Sequence, residues 1–156
     1  MALRMTAAEL QQRLDHFSAK CRELGLAVTP QRLAIYRALA GTEAHPSPDD
    51  LHTAVRRELP TVSLGTVYKT LDTLSSAGLV RRVESPAGVG RYDANLDSHH
   101  HVVCVRCHRV EDVYSPSLDG VRAPAGIKSR YQLLEHGVQF RGVCEACRTS
   151  SRRSRR

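Results

Sequence analysis

The chain has no tryptophan and only two phenylalanines among its 156 residues, so a core built on large aromatic side chains is excluded. Two small domains would each be short of apolar volume, a deficit that a metal staple relieves. No apolar run is long enough to span a bilayer, and Met1 to Leu10 lacks the apolar centre of a secretory signal. A cytoplasmic protein with no membrane partner is expected, in a compartment where paired thiols meet metals more often than they form disulfides. Internal repeats are missing too. So are two signatures of cysteine chemistry. Neither Cys-x-x-Cys stands in the helix-start, βαβ setting of a thioredoxin-type dithiol. The His-x-Glu and Pro-Cys-x-x-Cys of a zinc deaminase are missing as well.

What remains of the cysteine pattern is specific. Cys104/Cys107 and Cys144/Cys147 form two Cys-x-x-Cys pairs, and four thiolates so spaced close a tetrahedral structural zinc site. A pair of redox-active dithiols is the rival reading. Cys21, alone among apolar residues at helical spacing, reads as core. The charge balance is 23 Lys plus Arg against 16 Asp plus Glu, or +7, with four of the positive charges in Arg152, Arg153, Arg155 and Arg156. That balance suits a polyanion such as nucleic acid, and it equally suits a solubilising tail.

The first half predicts helices in close succession. Thr6 with Glu9 makes a capping box, Leu10, Leu14, Phe17, Cys21 and Leu24 recur at helical spacing, and Gly25 offers a stop. Thr29-Pro30 starts a second helix and Ser47-Pro48 a third, whose stripe of Leu51, Ala54, Val55 and Leu59 ends at Pro60. Ser63 caps a fourth, running to Gly78, with Leu64, Val67, Leu71 and Leu74 on one face and Thr66, Tyr68, Lys69 and Thr73 on the other. The third and fourth helices, joined through Leu59-Pro60-Thr61, read as a helix-turn-helix. Leu79 to Glu84 and Arg91 to Asp93 read as two strands around a Gly/Pro turn, which makes the unit a winged helix.

The second half changes period. His101 to Cys104, Val110 to Tyr114 and Val138 to Val143 read as strands, with a weakly helical Ser115 to Arg130 between them. The fold class is therefore α+β. It combines an N-terminal winged helix-turn-helix over residues 1–92, a hinge at 93–98, an α/β unit with the four-cysteine zinc site at 99–149 and a basic disordered tail at 150–156. On a strand, His99 and His101 point to one face and His100 to the other. Asp112 sits on the strand expected to pair with theirs, Asp93 lies close in sequence, and His45 precedes the third helix. Three imidazoles and two carboxylates suit iron(II), manganese(II) or zinc(II) better than magnesium or calcium.

Together these segments resemble the ferric uptake regulator (Fur) superfamily of bacterial metalloregulators, over about Glu23 to Cys147. The resemblance rests on Gly25-Leu26-Ala27-Val28-Thr29-Pro30-Gln31-Arg32, His45-Pro46-Ser47-Pro48-Asp49-Asp50, Val62-Ser63-Leu64-Gly65-Thr66-Val67-Tyr68-Lys69-Thr70-Leu71, Arg91-Tyr92-Asp93 and His99-His100-His101-Val102-Val103-Cys104, with both cysteine pairs. It implies a homodimer joined by its C-terminal sheet, a structural Zn(II) on Cys104, Cys107, Cys144 and Cys147, and repression of operator DNA when a regulatory Fe(II) or Mn(II) is bound. The positions matching the regulatory ligands are His45, Asp93, His99, His101 and Asp112. Aspartates at 93 and 112 match the peroxide-sensing PerR branch, whereas iron sensors carry glutamates there. That branch implies oxidation of His45 or His99 by iron and peroxide, after which the two halves swing apart and DNA is released. The DNA-contacting positions are Arg32, Ser63, Thr66, Tyr68 and Lys69.

Four departures from the family pattern stand out. His108 replaces a glycine after the first cysteine pair, Ala27 replaces a cation, and the Ser115 to Arg130 stretch is interrupted by Pro and Gly. Ser98 fails to complete a further metal site near His100, Asp119 and His136. The alternatives are an iron- or manganese-level sensor of the same family and, from another class, a zinc-dependent redox protein or hydrolase.

Overall fold

The computed structural model describes residues 5–86, 88–134 and 136–153, and the chain divides into two compact units, Met1–Leu96 and Asp97–Arg156. The first unit opens with four helices: α1 (Ala7–Glu23), α2 (Pro30–Ala40), α3 (Pro48–Val55) and α4 (Leu64–Ser76). Each starts with the same device. A hydroxyl residue just outside the helix, Thr6, Thr29, Ser47 or Ser63, accepts a backbone N–H from the first turn, satisfying a donor that the helix itself leaves orphaned. In α1 and α3 the first-turn carboxylates of Glu9 and Asp50 return the bond to the cap's own N–H, at 2.7 and 2.9 Å. Proline occupies the first turn of α2 and α3, where its missing N–H costs nothing. Gly25 closes α1 with a φ of 69°, a left-handed turn that only glycine takes without steric cost.

The apolar faces of these helices meet in one core. Leu14 and Phe17 of α1, Ile35 and Leu39 of α2, Leu51 of α3 and Val67, Leu71 and Leu74 of α4 are all buried. At about 1.5–3 kcal/mol for each large side chain removed from water, this cluster is the main stabilising term of the unit. Phe17 and Tyr36 stack at 3.7 Å between ring centroids, so the few aromatics present tie α1 to α2. Burial pushes the Tyr36 hydroxyl and the Cys21 thiol above their ordinary pKa values, and Cys21 is a core residue with no exposure. The stripe expected on the third helix needs one correction. The helix ends at Val55, Ala54 faces solvent and Leu59 is half-buried beyond the helix, because the i, i+4 series Leu51, Val55, Leu59 carries the packing.

The wing is an antiparallel pair, β1 (Arg81–Val83) and β2 (Arg91–Asp93), in which Arg82 faces Tyr92. Strand β1 is shorter than the expected Leu79 to Glu84, because Leu79 and Val80 pack into the helical core instead. With α3 and α4 this completes a winged helix-turn-helix.

The second unit is built on a three-stranded sheet of order β4-β3-β5, with β3 (His100–Cys104) central, β4 (Val110–Val113) antiparallel to it and β5 (Gln139–Gly142) parallel. The parallel pairing requires a long crossover, and the stretch from β4 to β5 supplies it with two short helices, α5 (Pro116–Asp119) and α6 (Ala125–Lys128). Helix α7 (Glu145–Arg153) follows β5. It takes in residues 150–153 of the Arg-rich tail, where composition predicts disorder, while 154–156 lie outside the described residues.

Candidate metal centres and nucleic-acid interface

The sulfur site is assembled at one end of the central strand. Cys104 ends β3, Cys107 lies in the turn leading to β4, and Cys144 and Cys147 flank the first residues of α7. The turn is held by backbone bonds from His108 N–H to the Cys104 carbonyl (2.9 Å) and from Cys104 N–H to the Arg109 carbonyl (2.9 Å). One more, from Val105 N–H to the Gly142 carbonyl (2.8 Å), ties it to β5. All four Sγ atoms lie within 4.8 Å of one another, with Cys107 and Cys144 at 3.7 Å. Four sulfurs around zinc at about 2.3 Å span tetrahedral edges of about 3.8 Å, whereas a disulfide needs about 2.05 Å. All the cysteines are free thiols, and the sulfur spacing fits a structural zinc rather than a formed disulfide.

The second pair does stand at a helix start, contrary to expectation. The βαβ setting is still missing, because no strand follows α7 among the described residues. The backbone N–H groups of Cys107 and Cys144, with that of Arg106, turn toward the Cys104 sulfur and bring its pKa down to about 5. Cys147, sharing bonds with Cys144 and Cys107, is pushed up to about 12. These donors favour the thiolate form of Cys104. His108, where the family pattern has glycine, takes a φ of 61°, so the knuckle keeps its left-handed turn despite the side chain.

The imidazoles and carboxylates gather within each unit. In the first, His45 in the α2–α3 link and Asp93 at the end of β2 are both buried, with Nε2 and Oδ2 3.4 Å apart. His45 has a φ of 47°. In the second, the pleat turns His99 and His101 to one side, their Nε2 atoms 3.0 Å apart. The strand register places Asp112 opposite His101, with Oδ1 3.5 Å from His99 Nε2 and 3.7 Å from His101 Nε2. His99 Nδ1 lies 2.8 Å from the Asp97 carbonyl, which can only accept, so Nδ1 carries the proton and Nε2 keeps a lone pair directed at its neighbours. Two nitrogens about 3 Å apart are what cis ligands at about 2.1 Å subtend. The set therefore fits a divalent first-row cation.

His100, on the opposite face, has both ring nitrogens occupied. Nδ1 accepts the Val138 N–H and Nε2 donates to Asp119 Oδ1, each at 3.1 Å. Ser98 donates to that same oxygen at 3.0 Å, and the His136 ring is 6.4 Å away. The His100 ring is thus fully engaged and has no lone pair left to offer a metal.

On the nucleic-acid side, Tyr68 and Lys69 stand exposed on the outer face of α4. Ser63 and Thr66 are engaged with each other. The Ser63 hydroxyl accepts the Thr66 N–H at 3.0 Å and meets its hydroxyl at 2.9 Å. Arg32 is half-buried, its Nη1 donating to the Ala27 carbonyl while Nε is buried without a partner, so it braces the α1–α2 loop. Exposed Arg56, Arg57 and Arg82 add cations that the motifs do not single out. Two other residues outside the expected set touch the candidate ligands. Tyr114 donates to Asp112 Oδ2 at 3.3 Å, and its ring lies tilted 5.7 Å from that of His99. Arg91 donates to the His45 carbonyl. No sequence signal marks Tyr114, whereas Arg91 lies in the Arg-Tyr-Asp run.

The family model described as "Ferric uptake regulator family" matches residues 23–141. The peroxide-responsive repressor PerR of Staphylococcus epidermidis is 30% identical over 145 residues, covering 91% of this chain and 97% of the relative. The ferric uptake regulator Fur of Helicobacter pylori shares the fold with a TM-score of 0.73, at 21% identity over 95% of this chain and 97% of that one. The ferric uptake regulator of Francisella tularensis, solved with iron, has a TM-score of 0.66 and 25% identity over 80% of this chain and 96% of that one.

Proposed function

The chain belongs to the ferric uptake regulator family of metal-responsive transcriptional regulators, and within that family we propose that it is a peroxide-sensing, PerR-type repressor. It acts in the cytoplasm as a homodimer on double-stranded operator DNA. Cys104, Cys107, Cys144 and Cys147 hold a structural zinc, and His45, Asp93, His99, His101 and Asp112 serve as ligands for a regulatory iron(II) or manganese(II). The observation that carries the reading is the donor set itself, buried imidazoles faced by aspartates within each unit, with the likeness to a named peroxide-responsive repressor in support.

Each residue has a definable part. Asp93 and Asp112 balance the charge of a dication, and their short side chains keep the carboxylates close to the strand backbone. The Asp97 carbonyl fixes the His99 tautomer, so that Nε2 is the donor atom. Iron(II), when bound, would supply the one-electron chemistry that activates hydrogen peroxide beside an imidazole, chemistry that manganese(II) in its place would not supply. In the net step the His45 or His99 ring would give up two electrons and gain one peroxide oxygen at carbon, the other oxygen leaving as water; the oxidised ring is a weaker nitrogen donor, and DNA binding falls with the lost ligand. Tyr68 and Lys69, with Thr66 behind them, read the operator from α4, while Arg32 and Ser63 shape the surface that meets its backbone. The cysteines keep their thiolates engaged and take no part in sensing.

A second reading, a metal-level sensor on the same ligands, draws on the likeness to the iron-bound Francisella regulator. The experiment that separates them uses a duplex selected from a random pool by manganese-loaded protein. Binding that requires divalent metal and is lost after peroxide with iron, but not with manganese, supports peroxide sensing. Binding that follows metal concentration and ignores peroxide supports the second reading. Turnover of a thiol or ester substrate without such DNA binding would overturn both.

A further inference from the structure

His45 stands in a backbone conformation that its own chemistry disfavours. Its φ of 47° is left-handed, a region that sterically penalises any residue bearing a Cβ. It also precedes Pro46, which ordinarily drives the residue before it to extended backbone. Such a conformation persists only where the surroundings impose it. Strand β2 imposes it with three consecutive residues. Asp93 Oδ2 meets the His45 ring at 3.4 Å, the Tyr92 N–H donates to the Pro46 carbonyl at 3.1 Å, and Arg91 Nη1 donates to the His45 carbonyl at 3.2 Å.

Two apart on a strand, Arg91 and Asp93 share a face, so one holds the main chain of His45 and the other its imidazole. Tyr92 turns the opposite way, into the helical core. The same Arg91 nitrogen lies 3.4 Å from Asp50 Oδ2. That oxygen already accepts the Ser47 N–H at 2.9 Å and the Ser47 hydroxyl at 2.7 Å in the cap of α3. Through one nitrogen, Arg91 thus touches both the backbone of a candidate sensing histidine and the cap of the first helix of the helix-turn-helix.

We propose that Arg91 is the positioning residue that carries the state of His45 to α3. It is required for the regulatory metal to tighten DNA binding, and is dispensable for metal uptake and for DNA binding without metal. The inference rests on the reading of His45 as a regulatory ligand. While the His45 ring is engaged, its strained carbonyl is fixed, and Arg91 and the Asp50 cap are fixed with it. When the ring is oxidised or released, the backbone relaxes toward an ordinary conformation and Arg91 loses that acceptor. Its remaining partner is a carboxylate whose side chain is 58% exposed, and a pair of that kind holds little by itself. The strain at His45 is what gives the link two positions. An unstrained loop would keep its carbonyl in place whatever the ring did.

The test compares zinc-loaded wild type, Arg91→Met and Arg91→Lys for affinity toward the selected duplex, without regulatory metal and with saturating manganese(II), uptake being verified by electron paramagnetic resonance. Hydrogen exchange of the α3 amides is followed in parallel. For Arg91→Met the manganese-induced gain in DNA affinity should shrink by about fivefold or more, with metal-free affinity and manganese uptake unchanged. The manganese-induced protection of α3 should be lost as well. Arg91→Lys, which keeps a cation able to donate to both acceptors, should restore part of the gain. A gain equal to wild type in Arg91→Met overturns the inference. So does equal weakening of DNA binding with and without metal, which marks a merely structural role, or loss of manganese uptake itself. Wild-type binding indifferent to manganese would instead refute the reading of the protein as a metal-dependent repressor.

Discussion

Ser63 has two candidate parts, capping α4 and facing DNA, and two substitutions separate them. In Ser63→Ala the Thr66 N–H loses the oxygen now 3.0 Å away, and the Thr66 hydroxyl loses a partner at 2.9 Å. Both groups lie at an exposed helix start, where water replaces the lost acceptor in part, so the cost is that of an ordinary cap, about 1 kcal/mol. For a unit of this size that is roughly 4–8 °C in the melting temperature. Ser63→Asp keeps an acceptor at the same place and sets a negative charge at the positive end of α4, so stability should stay within about 0.5 kcal/mol of wild type. The same carboxylate would face the phosphate backbone and lower operator affinity. Urea denaturation of the zinc-loaded protein, read by far-ultraviolet circular dichroism, gives the first quantity, and fluorescence anisotropy with the selected duplex gives the second. Equal destabilisation by Ala and Asp would refute the capping argument. Unchanged affinity in the stable Asp variant would remove Ser63 from the DNA surface.

Other outcomes follow from the same geometry. His108→Gly should stabilise the zinc-loaded protein by about 0.5–1 kcal/mol in urea denaturation, because the left-handed turn at φ 61° disfavours a side chain. Zinc uptake should release protons, and affinity should therefore rise with pH. With Cys104 shifted down to about 5 and Cys147 up to about 12, Cys104 contributes less to that release at pH 7 than Cys147 does. Pre-buffered zinc titrations between pH 6 and 8 should show a dependence weaker than that of four protonated thiols, and a flat profile would contradict the thiol assignment. Asp112→Glu should retain metal-dependent DNA binding and lose its peroxide response. An undiminished response would show that the aspartate does not set the signal.

Where a feature has a local chemical cause, it is legible in the sequence. Thr6, Thr29, Ser47 and Ser63 mark four helix starts because a short hydroxyl side chain, followed in the first three by a proline or a carboxylate, acts within one turn. The cysteine pairs and the alternation of His99, His100 and His101 are legible for the same reason. The parallel docking of β5 on β3 leaves no such trace. The strand itself is expected over Val138 to Val143, but Gln139, Phe140 and Arg141 are all exposed, so no period-2 burial marks the neighbour it docks on, and that partner is remote in sequence. The left-handed backbones of His45 and His108 are equally silent, since neither is the Gly or Asn that usually advertises such a turn. Arg91 lay in view within a recognisable run, but its two acceptors come together only when the α2–α3 link folds back onto β2.

Peroxide chemistry at the histidines is the central claim, and mass spectrometry addresses it most directly. Zinc-loaded protein is reconstituted without oxygen with iron(II) or manganese(II), given a low dose of hydrogen peroxide and mapped by peptide. The account predicts a gain of one oxygen on the peptide bearing His45 or His99, with iron only. Peptides that stay unmodified while DNA binding still follows iron or manganese concentration would contradict it and identify a metal-level sensor.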